Sequence, residues 1–174
     1  MYKKILTVLN LKESDENVIA HVQKLALQMK ADITLVRVIT VADDGGEGLG
    51  RQFQLEEGSR GWRKRLEAER CLPQYELRLR QAGLNADAEL IIGGQSEGEE
   101  IVIYATENNC DLIVMANDPR PWYTRWVGGS PSSEVQRKSN VPTLFINDGT
   151  KKVWEEQAAP KENKMMAIFG SGDL

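Results

Sequence analysis

Short, nearly continuous apolar runs alternate along this chain with segments whose apolar residues recur at helical spacing. Apolar runs of this length are typical of strands buried on both faces, as in a parallel sheet. Four of them occur, at 4–9, 33–39, 111–115 and 142–147, and residues 85–92 before Gly93-Gly94 are a further predicted strand. Together with the helical segments between them, they give the order β-α-β-α-β-α-β-α-β. This order predicts an α/β fold in which helices cover both faces of a parallel sheet.

Capping residues and helix breakers predict where the first two helices begin and end. Ser14 and Asp15 are candidate N-caps for the first helix. The second helix is predicted over about 52–82, and Gly83 follows it at the position of a C-cap glycine. Pro73 is expected to kink or split this helix, because proline removes one helical hydrogen bond.

Serine marks the predicted starts of the last two helices. Ser96 and Glu99 form a capping-box pattern, which opens a helix running to about Asn109. Ser130 precedes Pro131, and these are favoured residues for an N-cap and for the first helical position.

Length and composition limit the domain count and the class of protein. A chain of 174 residues favours one domain. We assign residues 1–148 to it, and 149–174 to a C-terminal tail that is either disordered or docked on the domain or a partner. The balance of 41% apolar and 28% charged residues is that of a soluble globular protein. No apolar run approaches the ~20 residues that a membrane-spanning helix needs.

The charge of the chain disfavours nucleic acid as a partner. The formal net charge is −4, whereas generic nucleic-acid binders are basic. The segment 60–65 is locally basic and contains Trp62. We interpret it as the solvated face of a long helix, and a contact patch is the alternative.

Histidine and cysteine are too scarce for the common catalytic and metal sites. His21 is the only histidine, and its place beside the apolar stripe of the first helix indicates a surface or boundary residue. Cys71 and Cys110 form no spaced cluster and have no evident basic neighbour, so we interpret them as packing residues in a reducing cytoplasm. We therefore expect neither catalysis nor a metal site.

One predicted helix start has the composition of an anion-binding site. Gly128 and Gly129 directly precede Ser130, so unpaired backbone N–H groups, the helix dipole and a hydroxyl converge there. This signal alone is weak, because many helices begin with Gly-Ser.

Six features of the chain match one known family. They are Tyr2–Leu6, the long glycine-bearing loop after the second strand, Asp111–Met115, the Gly129-Ser130 helix start, Glu134-Val135 and Val141–Ile146. Along nearly all of residues 1–148, the chain resembles the universal stress protein (UspA-like) family. The resemblance implies an open five-stranded parallel sheet of the adenine nucleotide alpha hydrolase-like type. It also implies a cytoplasmic role in stress survival, often without a known reaction, and homodimerisation through the last strand.

One branch of that family binds ATP through a loop of pattern G-x2-G-x9-G-[S/T] after the fourth strand. Gly129 and Ser130 match the end of this pattern, but Ala116 and Pro119 stand at its first two glycine positions. Glycine there lets the backbone approach phosphates and point its N–H groups inward, whereas Pro119 has no N–H to offer.

The resemblance also implies the rest of a candidate nucleotide cleft. Asn10 stands where the ATP-binding branch has aspartate, and it can hydrogen-bond without the charge. Val38 matches the valine on the adenine side. The candidate cleft residues are therefore Asn10, Val38, Ala116, Gly129 and Ser130.

We therefore expect a non-catalytic stress-response protein that acts by binding as a homodimer. It needs no cofactor and binds ATP weakly or not at all. The alternative is an ATP- or AMP-binding switch that uses the altered loop, with residues 43–50 closing over the ligand.

Aromatic residues after the fourth strand are candidates for contact with a protein partner. Trp122, Tyr123 and Trp126 either fill the vacated nucleotide cleft, form a partner surface or pack against the domain. The apolar patch Met165–Phe169 in the tail is a second candidate for partner contact.

Overall fold

Five parallel strands form the central sheet of the molecule. The computed structural model describes residues 1–41, 55, 57–117 and 130–147. Its elements are β1 (Lys4–Val8), α1 (Ser14–Met29), β2 (Asp32–Thr40), α2 (Arg60–Gln81), β3 (Ala86–Gly93), α3 (Glu97–Glu107), β4 (Leu112–Ala116), α4 (Pro131–Lys138) and β5 (Thr143–Ile146). The strands lie in the order β3-β2-β1-β4-β5, and every neighbouring pair is parallel. The predicted open five-stranded parallel sheet is confirmed.

The direction in which the strands are added reverses at β1. From β1 the chain builds outward to β2 and β3, then returns to place β4 on the other side of β1. The two central strands pair from Ile5 with Leu112 to Val8 with Met115. In open α/β sheets, ligands bind outside the carboxyl ends of the strands at such a reversal point. The topology therefore directs attention to the ends of β1 and β4.

Helices cover both faces of the sheet, as predicted. Successive strand residues point to opposite faces, so Ile5 packs in the core under α1 and α2 while Leu6 packs under α3 and α4. Both side chains are fully buried. None of the helices in the described part of the chain is long and apolar enough to cross a membrane.

The second helix begins later than the sequence predicts. Over the described residues α2 starts at Arg60, not near residue 52, and Ser59 is its N-cap, accepting a 3.0 Å hydrogen bond from the Trp62 amide. The cause is Gly58, whose φ of +82° is left-handed and therefore stops a right-handed helix from extending through it. Residues 42–54 and 56 lie outside the described residues.

Pro73 does not split α2, contrary to one of the two expected outcomes. The helix continues through it from Arg60 to Gln81. Pro73 is exposed, so water can solvate the carbonyl group that loses its N–H partner. Gly83 follows the helix with a φ of +83°, which confirms the predicted C-cap glycine.

The predicted cap of the first helix is wrong. The N-cap of α1 is Glu13, and it makes no side-chain cap bond. Asp15 folds back instead, and its Oδ2 accepts hydrogen bonds from the amides of Leu11 (2.5 Å) and Lys12 (3.4 Å). Leu11 has a φ of 58°, so Asp15 stabilises a tight left-handed turn between β1 and α1.

The predicted serine caps of the last two helices are confirmed. The Ser96 hydroxyl accepts from the Glu99 amide at 3.3 Å, although the Glu99 carboxylate contacts Lys138 instead of closing a capping box. Ser130 caps α4, and Pro131 is the first helical residue. The tail at 149–174 lies outside the described residues.

Candidate functional site

A cleft lies at the carboxyl ends of β1 and β4, where the sheet reverses. Its cavity measures about 190 Å³. The lining residues are Asn10, Lys12, Arg37, Lys64, Glu97, Met115, Ala116, Pro131 and Ser132. They come from the β1–α1 turn, β2, α2, the first turn of α3, the end of β4 and the start of α4. Two predicted site residues, Asn10 and Ala116, are thus brought together here.

Arg37 is the central charged group of this cleft. It is 8% exposed, and its Nη1 donates hydrogen bonds to Asn10 Oδ1 and Glu97 Oε1, each at 3.0 Å. The Leu9 carbonyl accepts a third bond at 3.4 Å. Buried guanidinium groups need such partners, because burial without them costs several kcal/mol.

Sequence reasoning missed Arg37, although one signal for it was present. Arg37 is the single charged residue inside the otherwise apolar run 33–39. A charge in a strand buried on both faces must have a buried partner or reach a cavity. The partner, Glu97, lies 60 residues further along the chain, so no local pattern identifies it.

Two lysines add to the positive charge of the lining. Lys12 lies in the turn after β1, and Lys64 lies in the first turns of α2. Among the lining residues that the structure describes, three side chains including Arg37 are cationic and one, Glu97, is a carboxylate. The lining therefore favours an anionic ligand.

Asp15 stabilises the turn between β1 and α1 but does not line the cavity. Burial raises the pKa of its carboxyl group, although hydrogen bonds from the Leu11 and Lys12 amides and the charge of Arg37 act in the opposite direction. Its Oδ1 is buried and has no hydrogen-bond partner among the described residues. Asp15 thus fixes the turn that carries Asn10 and Lys12.

The other predicted site residues lie beside the cavity or outside the described residues. Val38 is 1% exposed and packs in the core under α3 and α4. The Ser130 hydroxyl lies 3.0 Å from that of Ser132, a buried residue that does line the cavity. The remaining residues of the loop prediction lie outside the described residues: Gly129, Pro119, Trp122, Tyr123 and Trp126.

Histidine and cysteine stand apart from the cleft. His21 is exposed on α1, with its Nδ1 2.8 Å from the Asn17 carbonyl. Cys71 is half-buried in α2, and Cys110 is buried beside β4, where burial raises the pKa of its thiol. Within the described ranges, no group of three or more His, Cys, Asp or Glu side chains could hold a metal ion.

The basic start of α2 is part of the helix surface. Trp62 packs against a small core formed by Ile39, Val41 and Leu55. The Arg65 guanidinium lies 5.4 Å from the centre of the Trp62 ring and stacks on it. The segment 60–65 therefore lies on a helix as predicted, but it is not simply a solvated face, because Trp62 packs against this core and Lys64 lines the cavity.

Comparisons with known proteins agree with this architecture. The model of the universal stress protein family matches residues 1–147. No curated protein matches by sequence.

Several solved structures share the fold. A universal stress protein family member from Burkholderia pseudomallei is 19% identical with a TM-score of 0.62, covering 83% of this chain and 96% of its own. The universal stress protein from Archaeoglobus fulgidus in complex with dAMP is 20% identical with a TM-score of 0.60, covering 83% and 98%. A universal stress protein in complex with cAMP is 15% identical with a TM-score of 0.63, covering 84% and 98%.

Proposed function

The chain belongs to the universal stress protein family, and from that premise we propose that it is a stress-response protein that acts by binding rather than by catalysis. It works as a cytoplasmic homodimer and binds ATP weakly or not at all. The observation that carries this proposal is the make-up of the cleft at the ends of β1 and β4.

The part of the cleft that the described residues enclose is small for a nucleoside triphosphate. Its volume of about 190 Å³ lies below the ~300 Å³ at which pockets for drug-sized ligands begin. Ala116 is 4% exposed at the end of β4, so its methyl group occupies space that a glycine would leave open. Pro119 follows it in the sequence and contributes no backbone N–H to a phosphate.

The described residues of the lining do not include a nucleophile paired with a base. Among the lining residues that the structure describes, Glu97 is the only carboxylate, and it is engaged with Arg37 at 3.0 Å. The Ser132 hydroxyl contacts the Ser130 hydroxyl, and neither a histidine nor a cysteine lines the cavity. A nucleophile next to a free base, which acyl or phosphoryl transfer to a side chain would require, is therefore not supported.

The proposed dimer uses the exposed edge of β5. This strand ends the sheet beyond β4, and Leu144 on it is 40% exposed. Unpaired strand edges are ready sites for pairing with a second chain. Substituting Leu144→Lys should shift the protein from dimer to monomer in sedimentation equilibrium. Leu77→Lys, at a 57% exposed leucine on α2, is the matched control and should leave the dimer intact.

Freshly purified protein provides the test of ATP binding. Denaturation and chromatography should release far less than one nucleotide per chain, and calorimetric titration with MgATP should give no heat at high micromolar protein. Incubation with MgATP should produce no ADP above a blank. Stoichiometric ATP that appears only after denaturation would overturn the proposal.

An ATP- or AMP-responsive switch is the second candidate function. It is favoured by the three cationic side chains of the lining and by the solved relatives in complex with cAMP and dAMP. Asn10, Val38, Gly129 and Ser130 would contact the nucleotide. Micromolar binding of AMP in the same calorimetric titration would support this candidate.

A protein partner is a further part of the proposal. Trp122, Tyr123 and Trp126, or the tail at 149–174, provide its contact surface. Removing residues 150–174, and separately replacing the three aromatic residues by serine, tests which segment captures a partner from cell extract.

A further inference from the structure

Glu97 contacts Arg37 inside the cleft in the position that an anionic group of a ligand would take. We propose that Glu97 is an internal competitor for Arg37, and that the ligand which displaces it is a compact anion carrying a single phosphate group. This inference rests on the proposed binding function of the same cleft. It specifies the class of ligand and identifies Glu97 as the side chain that must move when the ligand binds.

Arg37 is held in place independently of Glu97. It lies on β2, which pairs with β1 on one side and β3 on the other, so its backbone is fixed in the sheet. Its Nη1 also donates a hydrogen bond to a neutral acceptor, Asn10 Oδ1 at 3.0 Å, which leaves the second Nη1 hydrogen for an anion in place of Glu97. The guanidinium would therefore stay in position when Glu97 leaves, which is the preorganisation that an anion site requires.

Glu97 can move without disturbing the helix that carries it. It is the first residue of α3, and its side chain is 25% exposed. The start of α3 is anchored by other contacts, because Ser96 caps it and donates to Glu134 at 2.6 Å, while Glu99 pairs with Lys138 at 3.2 Å. A rotation of the Glu97 side chain toward solvent leaves these bonds intact.

The described part of the lining carries cationic side chains that suit a phosphate group. Lys12 and Arg37 line the cavity, and a phosphate monoester carries about −1.5 to −2 at pH 7. Arginine is the side chain best suited to phosphate, because its planar guanidinium donates paired hydrogen bonds to two oxygens. The volume of about 190 Å³ enclosed by the described residues suits such a compact anion better than a triphosphate.

Replacing Glu97 and replacing Arg37 should change the affinity for phosphate in opposite directions, which tests the inference. Glu97→Gln keeps the size and an acceptor oxygen but removes the competing charge, so inorganic phosphate should bind about tenfold more tightly. Arg37→Gln should weaken phosphate binding by roughly 30-fold or more. The affinities are measured by NMR chemical-shift titration on the full chain, with chloride adjusted to hold the ionic strength constant.

The exposed pair Arg78–Glu16 provides matched controls. It joins two elements across a comparable sequence separation, at 2.6 Å, and does not line the cavity. Glu16→Gln and Arg78→Gln should leave the phosphate affinity unchanged. Parallel titrations with AMP and adenosine distinguish the source of the phosphate: binding of AMP tighter than phosphate indicates a mononucleotide, and equal binding indicates a free phosphate or a small phosphate ester.

Phosphate affinity that is unchanged or lower in Glu97→Gln would overturn the inference, as would binding of adenosine without binding of phosphate. If circular dichroism shows that Glu97→Gln is not folded, Glu97→Ala replaces it with the same expected tightening. These outcomes are separate from the proposed function, which fails on stoichiometric ATP or on turnover of ATP in the wild-type protein.

Discussion

The Ser96 hydroxyl donates a 2.6 Å hydrogen bond to Glu134 Oε2 and thereby ties the start of α3 to α4. The other carboxylate oxygen of Glu134 contacts Lys138 Nζ at 2.8 Å, and Lys138 also reaches Glu99 at 3.2 Å. These four side chains form a closed set of contacts between two helices that each contribute to the cleft. The relative position of Glu97 on α3 and Ser132 on α4 depends on them.

Replacing Glu134→Gln should destabilise the protein in a pH-dependent way. Burial raises the pKa of Glu134, but hydrogen bonds from Lys138 and Ser96 outweigh that effect and hold it below its ordinary value of 4.5. A lowered pKa stabilises the fold above the unfolded pKa, and this contribution is lost as the pH falls through the folded value. We expect Glu134→Gln to lower the free energy of unfolding by about 1 kcal/mol at pH 7. This difference from wild type should become smaller as the pH falls below 4.5.

Urea unfolding at several pH values between 3 and 7 measures this difference. Ser96→Ala removes one of the same hydrogen bonds. The double variant with Glu134→Gln should therefore lose less stability than the sum of the losses in the two single variants. A pH-independent cost of Glu134→Gln would contradict the assigned role of its charge.

Strand signals and the serine caps of α3 and α4 are local, which is why the sequence predicts them. Ser130 followed by Pro131 marks a helix start within two residues, and the continuous run 33–39 marks a strand without reference to the rest of the chain. The Arg37–Glu97 pair depends on how α3 follows β3 over the end of the sheet, and sequence spacing carries no information about that contact.

Asp15 shows a second limit of local reasoning. An aspartate before an apolar stripe indicates an N-cap. Here its carboxylate instead accepts hydrogen bonds from amides of the turn that precedes the helix. The left-handed Leu11 brings the amides of residues 11 and 12 within reach of Asp15. A sequence pattern does not reveal a left-handed conformation at leucine, because branched apolar residues seldom adopt it.

Asp15→Asn should reverse the pH trend expected for Glu134. Burial raises the pKa of Asp15 against the lowering effects of the Leu11 and Lys12 amides and of Arg37. A raised pKa gives stability that is present below the unfolded value of 3.8 and is lost as the pH rises through the folded value. The wild-type protein should therefore gain stability relative to Asp15→Asn as the pH is lowered from 7 toward 4.

Paired urea titrations of the two proteins at each pH measure this difference. Asp87→Asn, at a side chain that is 65% exposed, is the surface control. The interpretation would be wrong if the stability difference between wild type and Asp15→Asn increased with pH.

Gly98→Ala should push α3 away from α4. A Cβ at Gly98 would lie 2.7 Å from the Cβ of Glu134, an atom held close to the α4 backbone that cannot swing aside. Such overpacking costs about 1–3 kcal/mol. At Gly93 the added Cβ would meet the flexible end of Glu100, which can rotate away at the expense of its 2.9 Å bond from the Gln95 amide.

Thermal unfolding of the two variants measures the difference. We expect a clearly larger drop in Tm for Gly98→Ala than for Gly93→Ala. Equal decreases in Tm would indicate that α4 shifts to accommodate the added Cβ as easily as the Glu100 side chain rotates.

Pro73→Ala should stabilise the protein. Proline leaves the carbonyl of residue 69 without its helical partner inside α2, and an exposed proline in a helix interior costs about 3 kcal/mol relative to alanine. Part of that cost is offset, because proline also restricts the unfolded chain by about 0.4–1 kcal/mol. A net gain of about 2–2.6 kcal/mol in the free energy of unfolding by urea is expected. Gln74→Ala, at the neighbouring exposed residue, should change it by less than about 0.5 kcal/mol. A Pro73→Ala variant no more stable than Gln74→Ala would show that α2 already accommodates the proline without strain.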